Sequence, residues 1–227
     1  MLDHYNKLTE KEFCNMSNKT IVNSNDPNGY LLLPYDGPDA GYRVSILDRI
    51  RERLDESLDQ HSHVLAVMLA IRFPQALSAE LNNHCFQYFI EEYRRILNAH
   101  GYDPHYIWVA EKDASMNHHY HLLLLLNGSR IRYFQTPPEE ASAVWSRALS
   151  RFYGYGGSMK GLIHVGEVMQ NQFSCHGYVI PRDNPDMQKF ALEHFSYFAK
   201  VHSKICFPDK VRSFGASLLK KEAHHDE

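Results

Sequence analysis

The segment Asn117-His118-His119-Tyr120-His121-Leu122 carries the sharpest chemical signal in the chain. On a β-strand alternate side chains share a face, so His119 and His121 point one way while Tyr120 and Leu122 point the other. Two imidazoles about 6–7 Å apart along such a strand can converge on one divalent ion. Just upstream, HYIWVAEK reaches Glu111, and the polar DASMN follows it. A hairpin centred near Ser115 sets Glu111 directly across from His119, which adds a carboxylate to the same face. That mixed nitrogen and oxygen set suits Mn²⁺ or Mg²⁺, with Zn²⁺ also compatible. His164 and His176, on other strands, are alternative third ligands. A second group is Tyr197-Phe198-Ala199-Lys200 near the end of the last helix. A spacing of three puts Tyr197 and Lys200 on one helical face and leaves Phe195 and Phe198 for the core. A tyrosine hydroxyl, with its pKa near 10, attacks only beside a cation or an activated phosphate. Lys200 is such a cation.

Each feature also has a plainer meaning. The chain holds 15 histidines, so a His-x-His pair arises readily by chance on a solvent-facing strand. His61-Ser62-His63 is a second pair and is read that way, because no carboxylate-bearing strand precedes it. A strand-end glutamate such as Glu111 is usually only solvated, and most of the 14 tyrosines must be packing residues.

The elements that would position these groups follow from periodicity. Val44, Leu47, Ile50, Leu54 and Leu58 recur at helical spacing among charges, which predicts an amphipathic helix over 44–60. HSHVLAVMLAIRF, ended by Phe73-Pro74, reads as a buried central strand. Ser78 is placed to cap a helix from about 79 to 100, with Gly101 as its stop. HYIWVAEK and HYHLLLLLN then form an antiparallel pair. Pro137-Pro138 opens a helix that ends in GYGGSMKG. GLIHVGEV is a short strand, FSCHGYVI a weaker one, and Asn184 or Asp186 opens the last helix, NPDMQKFALEHFSYFAK. This order predicts a single α+β domain: a central, mostly antiparallel sheet covered by helices. Residues 1–43 form an irregular N-terminal arm, 44–207 the folded domain, and 208–227 a basic C-terminal tail.

Composition narrows the class. With 227 residues, 44% hydrophobic and 22% charged, the chain can bury one sizeable core. A net charge of −3 argues against binding a polyanion by bulk charge, so any nucleic-acid site is a local patch. Four scattered cysteines with no CxxC pair argue against a disulfide framework or a cysteine zinc site and fit a reducing cytoplasm. The longest apolar runs are too short to span a bilayer, so no membrane partner is expected. Nothing at the start has the layout of a secretory signal.

Taken together, Glu111, His119-Tyr120-His121 and Tyr197-x-x-Lys200 resemble the HUH endonucleases, named for two histidines flanking a bulky hydrophobic residue. More specifically, YIWVAEKDASMNHHYHLLLLLNG and SYFAK followed by VRSFGAS resemble the rolling-circle replication initiators of filamentous-phage (inovirus) and prophage type. The resemblance runs from about Val64 to Ser217. It implies that His119, His121 and Glu111 hold a divalent ion, Mg²⁺ or Mn²⁺. It also implies that Tyr197 attacks a phosphodiester to leave a 5′-phosphotyrosine and a free 3′-hydroxyl, with Lys200 positioning the phosphate. The substrate would be single-stranded DNA at a replication origin. No tyrosine lies one turn from Tyr197, which implies the single-tyrosine type. No P-loop is present, so a host helicase and polymerase would do the rest of the work. Arg130, Arg132, Arg147, Arg151, Lys204, Lys210 and Arg212, with Tyr133, Phe134, Tyr153 and Tyr155 among them, are candidate DNA contacts. The same residues would serve equally as a solvated surface. Other readings stay open: a non-catalytic prophage nucleic-acid-binding or regulatory domain, a metal-dependent phosphodiesterase that uses water, and a prophage interaction protein.

Overall fold

The computed structural model describes residues 21–22, 29–33, 41–112, 116–131, 134–166, 168–170, 173–175, 177–201 and 211–219. The long apolar run becomes the central strand β3 (His63–Arg72) of an antiparallel sheet. On one side β3 pairs with β5 (His119–Asn127), which pairs with β4 (His105–Glu111), which pairs with β10 (Phe214–Ala216) at the edge. On its other side β3 holds two short strands end to end. The first is β6 (Ile163–Val165), against Leu69–Ile71, and the second is β9 (Tyr178–Pro181), against His63–Ala66. Two small ladders complete the described strands, β1 (Ile21–Val22) with β2 (Tyr42–Arg43) and β7 (Val168–Gln170) with β8 (Phe173–Cys175). The predicted α+β class with a mostly antiparallel, helix-covered sheet is what the protein adopts.

Alternation along β3, β4 and β5 creates two apolar faces, and each is covered by a pair of helices. Leu65, Val67, Leu69, Trp108, Tyr120, Leu122 and Leu124 point toward α2 (His84–Ala99) and α3 (Thr136–Tyr153). Val64, Ala66, Ile107, Val109, Leu123 and Leu125 point toward α1 (Val44–Gln60) and α4 (Pro185–Phe195). The five consecutive leucines of β5 are read by both cores at once, which explains a run with no polar alternation.

Several boundaries differ from the sequence reading for local reasons. Helix α2 begins after Asn83, not Ser78, and the Asn83 amide is engaged elsewhere, donating to the Arg212 carbonyl and accepting from the Tyr120 hydroxyl. GLIHVGEV and FSCHGYVI each break into two strands, with Gly166 and Gly177 at the bends. A Cβ on Gly177 would sit 2.8 Å from the Ala66 carbonyl oxygen, so only glycine lets the chain pass there. The expected separate C-terminal tail is a correction: residues 214–216 form edge strand β10, because their ladder with Ile107–Val109 satisfies β4. Part of the expected irregular arm is also integrated. Tyr42 is fully buried, its hydroxyl donates to the Leu33 carbonyl, and Leu33 N–H donates to Ser196 Oγ at 2.9 Å. No described helix is long and apolar enough to cross a membrane.

Tyr120 ties the α2–α3 core to the histidine strand. It is fully buried, stacks on Phe86 at 3.9 Å, and meets Phe73 and Trp108 edge-on or tilted. We expect Tyr120→Ala to lower unfolding free energy by about 3–5 kcal/mol, measured by urea titration, whereas Tyr120→Phe costs about 1–2 kcal/mol for the lost hydroxyl contacts.

Candidate metal centre and neighbouring tyrosine

The β4–β5 register places Glu111 opposite His119 and Val109 opposite His121, as the hairpin argument required. With Tyr120 fixed in the α2–α3 core, both flanking imidazoles are turned to the opposite face. His119 Nε2 and His121 Nε2 lie 3.1 Å apart, and Glu111 Oε2 lies 3.8 Å from the first and 3.3 Å from the second. Bonds of about 2.1 Å set neighbouring ligand atoms about 3.0 Å apart at right angles and about 3.4 Å apart at tetrahedral angles. The observed spacings fall on and around these values, so the three groups fit a shared metal ion. Glu111 is 4% exposed, and a buried carboxylate is normally paired or bound to a metal. Among the described residues, this is the one group of three that could hold an ion. The alternative ligand His164 does not join it; His176 lies outside the described residues. His61 instead meets Asp103 at 3.1 Å, and His63 touches Ser62.

Tyr197 arrives from a part of the chain remote in sequence. Asn184 caps α4 by accepting from the Met187 N–H at 3.0 Å, and the helix tightens into a 3₁₀ turn over Ser196–Ala199. The tyrosine is therefore on that turn and not on the regular helix. Phe195, Phe198 and Ala199 are buried and anchor the turn, whereas Tyr197 is 40% exposed. Its ring lies edge-on to His121, centroids 5.8 Å apart, and the Lys200 ammonium sits 4.6 Å from the centre of the same ring. Burial lowers the Lys200 pKa, and the opposing pull of Glu111 raises it, which puts the lysine in the field of the cluster. The 3₁₀ turn is held from the N-terminal side too, since Val201 N–H donates to the Gly41 carbonyl at 3.0 Å.

Two clefts flank the centre. One of about 270 Å³ is bounded by His121, Tyr197 and Ala70; another of about 420 Å³ is bounded by His119, Asn117 and Met116. Arg72 borders both. It pairs with His119 across the β3–β5 ladder, so Glu111, His119 and Arg72 form one row over three strands. Sequence reasoning missed Arg72, His194 and the cleft, because strand order is needed to bring them beside His121.

The candidate DNA contacts scatter. Arg212 lies at the Glu111 end of the sheet and borders a cleft of about 520 Å³ with Arg49 and Arg53. Arg147 and Arg151 are exposed on α3, which covers the face opposite the cluster, and Arg151 rests on the Tyr88 ring at 4.8 Å. Arg130 follows the far end of β5 from His119. Arg132, Tyr133, Lys204 and Lys210 lie outside the described residues.

Fold and site thus define an α+β domain that gathers two imidazoles and a carboxylate able to hold a metal ion, with an exposed tyrosine alongside. A family model for the YagK/YfjJ C-terminal domain matches residues 35–217, and the chain belongs to that family. No curated protein matches it.

His118, next to the cluster, belongs to the other core. Its Nε2 lies 3.0 Å from the Tyr120 hydroxyl, and burial, reinforced by the charges of Lys112 and His119, pushes its pKa down to about 4. An unfolded histidine titrates near 6.5, so between these values the unfolded chain binds more protons. This contribution to stability is complete above about pH 6.5 and is lost as pH falls toward 4. Urea midpoints across that window will fall more steeply in the wild type than in His118→Phe. For the cluster itself, calorimetric Mn²⁺ titration will detect one site per chain, and His119→Ala with His121→Ala will abolish it. Binding will weaken on acidification, because protons compete for imidazole nitrogens.

Proposed function

We propose that this protein is a metal-dependent nickase and strand transferase for single-stranded DNA, acting in rolling-circle replication through a 5′-phosphotyrosine. The observation that carries this reading is the placement of Tyr197 and Lys200 against the His119, His121 and Glu111 cluster. A tyrosine so exposed beside such a donor set is what attack on phosphorus requires. The divalent ion, Mg²⁺ or Mn²⁺ under this reading, would withdraw charge from the phosphodiester.

Tyr197 Oη forms the new bond to phosphorus, its proton leaves to solvent or a neighbouring base, and the bond to the 3′-oxygen breaks. The departing oxygen takes up a proton as a free 3′-hydroxyl, and the 5′-phosphate stays on the tyrosine. Attack by a later 3′-hydroxyl reverses these changes and rejoins the strand. Lys200 holds its ammonium over the phenol ring and can offset charge on the phosphate. Among the described residues, Arg72 is a further cation on this face. A host helicase and polymerase would unwind and extend the DNA.

The test is incubation with a labelled single-stranded DNA pool, with Mn²⁺ or chelator, resolved on a denaturing protein gel. A covalent adduct is expected with Mn²⁺, absent with chelator and absent in Tyr197→Phe. Cleavage that persists in Tyr197→Phe without an adduct would instead establish a water-using phosphodiesterase. Equal DNA binding by wild type and the double histidine variant, with no cleavage by either, would establish a non-catalytic binding domain.

A further inference from the structure

The cleft of about 270 Å³ beside Tyr197 has a form that phosphate chemistry does not require. Its floor is Ala70, which stands between His121 on β5 and His164 on β6 in one row across the sheet. Because Ala70 carries only a methyl group, the row dips between two imidazoles. Phe198 and His194, from the α4 helix and the turn after it, border the opposite side. Among the described residues that border the cleft there is no carboxylate, and Arg72 supplies a cation.

Its size is below the usual range of about 300–1,000 Å³ for drug-sized ligands, so it suits one ring system and not two. An apolar floor edged by imidazoles offers a flat, partly aromatic surface and ring nitrogens that donate or accept. Unstacked bases are held in this way, by contact on their faces and hydrogen bonds to their edges. Burial keeps the His194 pKa low, so its ring is neutral near pH 7 and presents one donor and one acceptor. Its Nδ1 is buried without a hydrogen-bond partner. The cleft also touches both Tyr197 and His121. A strand whose phosphate lies between those residues therefore has an adjoining nucleotide within reach of the opening.

We propose that this cleft takes the unpaired nucleobase adjoining the scissile phosphate, with His164 and His194 reading its edge. The site selects the nucleotide at the nick, a role that rests on the nickase reading for the phosphate and on the cleft's own chemistry for the base.

Two measurements separate the claims. In the first, metal-free protein is titrated with single-stranded hexanucleotides of each base and with an abasic hexamer of equal charge, while the His164 and His194 Cε1–H resonances are followed. At least one base-bearing hexamer shifts them, the abasic one does not, and Ala70→Leu, which fills the floor, removes the response. His164→Ala, at an exposed position, gives the same loss without touching the core. Equal shifts with the abasic hexamer, or none with any, overturn the proposal. In the second, an abasic residue is placed on either side of the mapped nick. Adduct formation falls at least tenfold at one of the two positions in wild type, and Ala70→Leu shows no such penalty. If adducts form with no abasic penalty, the cleft proposal fails and the nickase reading stands. If the resonances respond but no DNA forms an adduct, the base site stands and the nickase reading fails.

Discussion

The alternation of side chains at Tyr120 is the constraint from which the site follows. Its ring is wedged against Phe86 in a full core, and its hydroxyl reaches His118 Nε2 and Asn83 Oδ1, both at 3.0 Å. A strand held so firmly by one residue cannot rotate, so the residues on either side must face the other way. His119 and His121 are thereby preorganised. Such rigid placement on a strand is what a metal centre or a reacting phosphate demands of its supporting structure.

The same logic governs the tyrosine. Phe195, Phe198 and Ala199 are sunk in the α1–α4 core, and Tyr197 is the residue of that turn left outside it. Gly41, Tyr42 and Leu33 fasten the turn from the N-terminal side through backbone contacts and Ser196. The described residues before α1 therefore act on the position of Tyr197 even though none of them belongs to the cluster. Substitutions there would move the tyrosine relative to the imidazoles.

Much of the fold was legible because the chain obeys local rules. The apolar stripe of α1, the uninterrupted apolar run of β3 and the Pro137-Pro138 start of α3 each predict their element. Where the reading failed, tertiary partners had overruled local signals. Ser78 is a good cap by type, but Asn83 is tied to Arg212 and Tyr120 and starts the helix five residues later. VRSFGAS looks like part of a tail in sequence, yet the open edge of β4 recruits it as a strand.

The sequence by itself determined that His119, His121 and Glu111 share a face, since strand periodicity and a short hairpin leave little freedom. It also determined that Tyr197 and Lys200 go together, from their spacing of three. Only the tertiary structure decided that these two groups meet, because the β3 strand sits between β5 and β6 and α4 crosses that face. It alone decided that Arg72, Ala70, His164 and His194 surround them, and that Arg147 and Arg151 lie across the sheet. Local periodicity fixes which way a side chain points, but strand order and helix placement come from burying two apolar faces at once. No short stretch of residues records that solution.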